Sequence, residues 1–526
     1  MKRRDFIKTM GAAALTIAQP DLLRAAIEQS PAAARPNIMF FLVDDMGWQD
    51  TSVPFHTAPT PFNRHYRTPN MERLARQGIK FTQAYAASVC SPTRTSIMTG
   101  LNAARHHVTN WTLFPDKENS GETARLKAPE WKREGLQPGA TTLPLLLKQA
   151  GYHTIHVGKA HWGAKGTPGE NPCALGFDVN IAGHAAGCQG SYLAEEGFGI
   201  NNGVWAVPGL EKYHGTHTHL TDALTIEAGK ELEKAVAAGG PFFLYMAHYA
   251  VHVPFAPHDP YYAPYKERGI DETEARYASL IEGMDASLGA LLDKLEKLGV
   301  AENTLVVFVS DNGGLSAHGR GTTPMGTGRN THNVPLREGK ASAYEGGVRV
   351  PLLISWAKPA ADNPVQQRLA IKPGAVCNTP IICEDYLPTL CHLAGVSDVS
   401  KAIPALDGQD ITGLIVGDKA ATRRGPLVFH YPHKWGGKDE GWGYQPNSAL
   451  RSGDWKVIYF YDPRAWELYN LKDDLSEARD LAAEQPAKLA EMAGLLMSEL
   501  KRLGAQYPID KSTGKEEPPV LPTQKM

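Results

Sequence analysis

The sequence predicts an α/β fold, a large, mixed and mostly parallel sheet flanked by helices, followed by a smaller C-terminal α+β subdomain. Three observations carry this. Apolar runs of strand length end abruptly in polar residues, amphipathic helical stretches alternate with them, and the alternation stops after Arg423-Arg424-Gly425-Pro426.

The first run, Ile38-Met39-Phe40-Phe41-Leu42-Val43, is apolar throughout and turns polar at Asp44-Asp45. Such a run reads as a central strand buried on both faces. The same grammar recurs at 242–247 before His248 and at 304–310 before Asp311-Asn312-Gly313-Gly314. A shorter run, 154–157, leads into Gly158-Lys159-Ala160-His161.

Between the strands, 69–77 carries Pro69 at its start and Gly78 past its end, and 142–150 is stopped by Gly151, both as helix capping favours. The longest helical pattern, 272–298, puts Tyr277, Leu280, Ile281, Met284, Leu288, Leu291, Leu292 and Leu295 on one stripe. In doubly wound sheets the chemistry lies at the carboxyl ends of the strands, where these polar residues fall.

After residue 425 come shorter strand-like runs, 427–430 and 455–460, and a last amphipathic helix around Leu489, Met492, Leu496 and Leu500. Residues 36–425 are therefore assigned to a catalytic domain and 426–526 to the C-terminal subdomain, with a loose tail from Lys511.

A chain of 526 residues with 42% hydrophobic and 21% charged residues has ample material for a core and lies near average globular usage. Its net charge of −2 offers no global field for nucleic acid or an anionic membrane, so an anionic ligand must be gripped locally. There is no internal repeat and no zinc-type Cys or His spacing.

The chain opens Met1-Lys2-Arg3-Arg4, followed by a short apolar run through Gly11-Ala12-Ala13-Ala14-Leu15. This resembles a twin-arginine (Tat) export signal over residues 1–35, too short in its apolar part to span a bilayer; an amphipathic first helix is the alternative. The expectation is a periplasmic or secreted protein, exported by the Tat machinery and not inserted in a membrane. In that setting a disulfide such as Cys173 with Cys188 is plausible among the six cysteines.

The segment Cys90-Ser91-Pro92-Thr93-Arg94, continuing to Thr99-Gly100, places a cysteine where Pro92 suits the first turn of a helix. A helix start favours anions. On these residues alone, a reactive thiolate and a buried cysteine before a helix both remain open.

Cys-x-Pro-x-Arg with a downstream Thr-Gly resembles the signature of the type I sulfatases, in which the cysteine becomes formylglycine. Further motifs of that family follow in order from Asn37 to about Leu481. The resemblance implies an alkaline-phosphatase-like fold and hydrolysis of sulfate monoesters. Leu42-Val43-Asp44-Asp45-Met46-Gly47 and Ser310-Asp311-Asn312-Gly313-Gly314 resemble the family's two metal motifs. Asp44, Asp45, Asp311 and Asn312, with residue 90, would hold Ca²⁺, Mg²⁺ being the alternative; an all-oxygen set suits a hard cation. The residues alone also allow helix capping by Asp44 and Asp45 and a plain turn at 311–314.

Gly158-Lys159-Ala160-His161-Trp162-Gly163 resembles the family's sulfate-binding segment, with Ala160 in place of a bulkier residue. It implies that Lys159 holds a sulfate oxygen and that His161 acts on the hydrated aldehyde. The segment ending His252-Val253-Pro254 implies His252 as leaving-group acid, with Val251 where proline is common and His248 as competitor. Lys340 would contact the bridging oxygen and Arg94 would help neutralise the ester. Arg349 is expected to organise its loop with Glu345 as partner, and 467–477 to close the structure.

In the mechanism so implied, one hydroxyl of the formylglycine hydrate attacks sulfur and His252 protonates the departing alcohol. The second hydroxyl then lets the aldehyde reform and expel sulfate. The implied partners are a sulfated carbohydrate, with galactose or N-acetylgalactosamine sulfate named, and a maturation enzyme for Cys90. His184, Tyr192, His214, His217, Trp435 and Trp442 are offered as candidates for a sugar pocket. A phosphonate monoester or phosphodiester hydrolase, and a non-catalytic carbohydrate-binding relative, are the alternatives.

Overall fold

The computed structural model describes residues 35–316, 319–328, 330–437 and 441–522; the export segment expected at 1–35 lies almost entirely outside the described residues. Among the described residues fifteen strands follow in chain order. They are β1 (Asn37–Val43), β2 (Ile79–Tyr85), β3 (Leu126–Lys127), β4 (His153–Gly158), β5 (Val179–Ile181), β6 (Phe242–Ala247), β7 (Thr304–Ser310), β8 (Arg349–Trp356), β9 (Ala375–Cys377), β10 (Ile381–Ile382), β11 (Leu427–Tyr431), β12 (Asn447–Ser452), β13 (Trp455–Phe460), β14 (Ala465–Asn470) and β15 (Ile509–Asp510).

Nine of them form one mixed sheet in the order β10-β2-β8-β7-β1-β6-β4-β5, with β9 also on β2. The pairs made by β1, β4 and β6 are parallel, whereas β8 runs antiparallel to both β7 and β2. β1 is central, as its sequence predicts. Its alternate residues enter two separate cores, Ile38, Phe40 and Leu42 on one face and Met39, Phe41 and Val43 on the other. Both faces being covered, alternation has no meaning there and every position is apolar.

Helices Leu143–Gln149 and Cys90–Thr99 supply the first core, and Pro69–Gln77, Leu220–Ala238 and Glu272–Lys297 the second. The predicted helices match closely. Thr142 caps the second through Leu145 N–H, and all eight residues of the long apolar stripe are buried.

The C-terminal subdomain is a four-stranded antiparallel sheet, β11-β12-β13-β14, covered by helix Pro486–Leu503 through Leu489, Met492, Leu496 and Leu500. β12 and β14 are absent from the sequence reading, because polar residues interrupt both runs, although the strand Asn447–Ser452 is buried at all but its last position.

Two expectations are corrected. All six cysteines are free, Cys173 on an exposed turn and Cys188 beside the pocket described below, so the Cys173–Cys188 disulfide does not form. The described part of the tail, residues 511–522, is not loose. β15 pairs with β3, Lys511 Nζ donates to Thr123 O at 2.8 Å, Arg125 pairs with Glu517, and Trp466 Nε1 donates to Val520 O at 2.9 Å. A polar tail with few apolar residues is held by charge and hydrogen bonds, which composition does not reveal. No helix among the described residues is long and apolar enough to cross a membrane.

Candidate active site

The carboxyl ends of β1, β4, β6 and β7 open on one side of the sheet, and the site is built there. At the end of β1, no helix follows Asp44 and Asp45. Asp45 is left-handed at φ 62° and is fixed by its own N–H to Asp311 Oδ1 at 3.2 Å. The capping alternative is thus excluded by the backbone. The loop after β6 is stitched to the same turn, Asp44 N–H to Ala250 O at 2.9 Å and Val251 N–H to Asp44 O at 2.7 Å. That stitching brings the 248–252 segment over the carboxylates.

Asp44, Asp45, Asp311 and Asn312 are completely buried together. Three carboxylates in one dry site repel unless positive charge answers them. Lys159 Nζ lies 2.5 Å from Asp44 Oδ2, Lys340 Nζ 2.7 Å from Asp45 Oδ1, and Arg94 Nε donates to Asp311 Oδ2 at 2.8 Å. Burial and neighbouring Asp311 push the Asp44 carboxyl well above its usual range, with Lys159 opposing. Burial also pushes Asp45 up, but Lys340 and His252 outweigh it and hold that carboxylate well below its usual range. Burial lowers Lys340, and Asp45 more than compensates.

Two acceptors remain without a donor, Asp44 Oδ1 and Asn312 Oδ1. Buried acceptors normally have partners. Asn312 is oriented by donating Nδ2 to Asp45 Oδ1 at 2.9 Å, so its amide oxygen is the atom left over. Ligand atoms of Asp44, Asp45 and His252 also lie within 4.8 Å of one another. A hard, oxygen-seeking cation fits this donor set.

Cys90 is the first residue of helix Cys90–Thr99, preceded by Val89, whose side chain provides no cap. It is 3% exposed and forms part of a pocket floor. Burial pushes its thiol up, so a ready thiolate is disfavoured. The helix is anchored by Ser91 Oγ donating to His161 O at 2.8 Å and by Arg94 Nη1 donating to Lys159 O at 2.6 Å. Residue 90 is thereby locked to the segment after β4.

His161 is left-handed at φ 56°, donates Nε2 to Thr112 O at 2.8 Å, and keeps a buried Nδ1 without a partner. Its ring lies flat on Gly187, where a Cβ would meet it at 2.3 Å. Burial and Lys159 hold His161 neutral. His252 donates Nδ1 to Val253 O at 2.6 Å, which leaves Nε2 facing Asp45 Oδ2 at 3.5 Å. His248 instead turns to Ser287 on the long helix, 2.9 Å away, and is fully buried. Of the two competing histidines, only His252 reaches the pocket.

The pocket holds about 240 Å³ and joins Cys90, His161, His252 and Lys340 to an apolar wall that includes Trp111, Trp205 and Trp435. Among the sugar-pocket candidates from sequence, Trp435 is there. Tyr192 lies behind it, donating to Tyr249 O and His252 O, His217 is exposed on Glu195, and Trp442 faces solvent. His184 is buried, with its carbonyl receiving His161 N–H, and His214 lines a separate groove. Trp111, Trp205 and Cys188 are missed by sequence reasoning; they sit in loops without periodicity, and nothing local marks them.

Glu345 does meet Arg349, at 3.4 Å, but more closely Lys456, at 3.0 Å, which also binds Glu477 at 2.8 Å. The Glu477 segment thus closes on the main sheet through a buried lysine.

The model of the sulfatase family matches residues 36–396. The chain belongs to the sulfatase family. As a sulfatase it is a sulfuric ester hydrolase, and its C-terminal part, 339–506, matches the model described as N-sulphoglucosamine sulphohydrolase, C-terminal. The family match spans the buried acids, the Cys90 helix and Lys340. A sulfatase of Formosa agariphila is 31% identical, the match covering 89% of this chain and 88% of the relative. Mouse N-acetylgalactosamine-6-sulfatase is 30% identical over 80% of this chain and 74% of its own. The crystal structure of Ps i-CgsB in complex with k-i-k-neocarrahexaose superposes with a TM-score of 0.69 and 26% identity, covering 89% of this chain and 93% of that one.

Proposed function

We propose that this sulfatase hydrolyses a sulfate monoester of a sugar, with residue 90 matured from cysteine to formylglycine and Ca²⁺ held by Asp44, Asp45, Asp311 and Asn312. The observation that carries the reading is the buried cluster of three carboxylates and two donorless oxygens directly beside a poorly ionising thiol. When bound, the cation supplies positive charge against the sulfate oxygens, and the formylglycine hydrate supplies the oxygen nucleophile and, through its second hydroxyl, the route for sulfate release.

The remaining roles belong to side chains in place. Arg94, Lys159 and Lys340 neutralise the ester, and as it enters, the two lysines exchange a carboxylate for a sulfate oxygen. His252 presents Nε2 to the leaving oxygen, its tautomer fixed by the Val253 carbonyl, and donates a proton once charged. His161, neutral with Nδ1 open, accepts the proton that releases the aldehyde. The sugar assignment rests on relatives named as N-acetylgalactosamine-6-sulfatase and N-acetylgalactosamine-6-O-sulfatase and on the neocarrahexaose complex. Export by the twin-arginine route, to the periplasm or beyond, rests on the first residues of the sequence.

The test is co-expression with a formylglycine-generating enzyme, mass spectrometry of the peptide across residue 90, and sulfate release from N-acetylgalactosamine 6-sulfate and galactose 6-sulfate. Formylglycine at residue 90 with sulfate release supports the proposal. An unmodified cysteine in a fully active enzyme overturns it.

A further inference from the structure

The wall above the reacting groups comes from three separate parts of the chain, and each contributes a tryptophan. Trp111 lies after the Cys90 helix, Trp205 in the long loop following β5, and Trp435 in the C-terminal subdomain after β11. The first and third segments are tied together. Gly121 N–H donates to Lys434 O at 3.0 Å, and Asn119 Nδ2 to Trp111 O at 2.9 Å. Gly437 leaves room for the Trp435 indole, since a Cβ there would meet its Nε1 at 2.2 Å. Trp435 N–H is itself held by Tyr444 O at 3.0 Å. The Trp435 indole thus lies against the backbone of Gly437, on a segment that is itself held by backbone hydrogen bonds.

Apart from His161, His252 and Lys340, the described residues of this wall include no Asp, Glu, Lys or Arg. Each cation of the site is already committed to a buried carboxylate or to the sulfate that displaces it. A second negative charge on the bound ring would meet no carboxylate-pairing cation among the described lining residues beyond those already committed. The volume, about 240 Å³, lies below the roughly 300–1,000 Å³ of pockets for drug-sized ligands, and suits one ring.

We propose that Trp111, Trp205 and Trp435 form an aromatic collar selecting a single, otherwise uncharged sugar ring that carries one sulfate, and rejecting rings with a carboxylate or a second sulfate. This rests on the sulfatase reading above and deepens it. The flat indole faces meet the apolar C–H face of a pyranose, and the rejection follows from the lack of a free countercharge among the described lining residues.

The test uses the matured, full-length enzyme. Turnover of p-nitrophenyl sulfate reports the basic reaction. Values of kcat/KM are then compared for galactose 6-sulfate and N-acetylgalactosamine 6-sulfate against glucosamine 2-N,6-O-disulfate and a sulfated uronic acid. A preference of tenfold or more for the neutral rings is expected. Trp435→Ala and Trp111→Ala should raise KM for the neutral sugar fivefold or more with kcat little changed, and Trp435→Phe should restore most of the loss. Equal turnover of the doubly charged sugars, or an unchanged KM in both alanine variants, overturns the collar while leaving the sulfatase reading intact. Failure of every ester, p-nitrophenyl sulfate included, overturns the reading on which it rests.

Discussion

Lys159 Nζ and the Asp44 carboxylate lie 2.5 Å apart with both side chains wholly shielded from water. Neither charge is tolerable alone. Removing one partner of a buried pair costs about 3–5 kcal/mol, because the other charge stays buried without an answer.

Lys159→Met is therefore expected to lose sulfate release by at least two orders of magnitude and to lower thermal stability. The conservative Lys159→Arg should fold better than Lys159→Met and still turn over poorly, as its wider head cannot reproduce a single point charge. Initial rates and melting temperatures of the two variants check this.

Metal removal gives an independent readout. Prolonged chelation of the matured enzyme should abolish activity and lower its melting temperature, and Ca²⁺ should restore both; at a hundredfold excess over Kd the stabilisation is about 2.7 kcal/mol. Asp44→Asn and Asn312→Ala should each weaken the calcium-dependent rise. A melting temperature indifferent to Ca²⁺ would sink the assignment of these oxygens.

Gly187 is not left-handed, so alanine is conformationally acceptable there, but its Cβ would meet the His161 ring at 2.3 Å. Gly187→Ala should displace the imidazole and lower kcat by about tenfold to a hundredfold, while circular dichroism stays native. Wild-type kcat in that variant would argue against a proton-transfer role for His161.

Acid stability is set in part by a buried cluster outside the reacting groups, which Arg320 and Tyr277 link through Asp50 to the loop after Asp45. Arg320 Nη2 and Nε contact Glu274 at 2.9 and 3.1 Å, Tyr66 OH donates to the same carboxylate at 2.7 Å, and Arg320 stacks on Tyr277. Burial pushes Glu274 up, yet Arg320, His65 and Tyr66 together bring it down to about 2 from 4.5. A depressed carboxyl contributes stability that is complete above its unfolded value and lost as pH falls from about 4.5 through 2; the shift corresponds to roughly 3 kcal/mol. Glu274→Gln should lose stability at pH 7 and show a flatter decline over that window in denaturant titrations.

Lys456, fully buried between Glu345 and Glu477, should be as sensitive. Burial raises Glu477 to about 7 against the pull of Lys456, so this carboxyl sits near the edge of ionisation. Lys456→Met should destabilise the chain by about 3 kcal/mol or more, and the double variant Lys456→Met with Glu477→Gln should recover part of it. Chemical denaturation of the single and double variants measures the coupling.

The sequence by itself determined the sheet core, the long helix and the ordered set of polar residues at strand ends. These rest on local grammar, since a strand buried on both faces must be apolar throughout, and a helix packed on one face repeats its apolar stripe every turn. Through its motifs' resemblance to those of the type I sulfatases it also singled out Asp44, Asp45, Cys90, Arg94, Lys159, His161, His252, Lys340, Asp311 and Asn312, which the fold brings into one region although they span almost 300 positions.

Only the tertiary structure decided which histidine faces the pocket, that Cys173 and Cys188 stay apart, that the last segment is pinned by Arg125 and Trp466, and that Trp111, Trp205 and Trp435 share one wall. The reason is physical. Periodicity and motif spacing record contacts along one element, whereas side-chain direction after an irregular loop is set by distant partners, such as Ser287 for His248 and the Val253 carbonyl for His252, whose positions exist only once the chain has closed on itself.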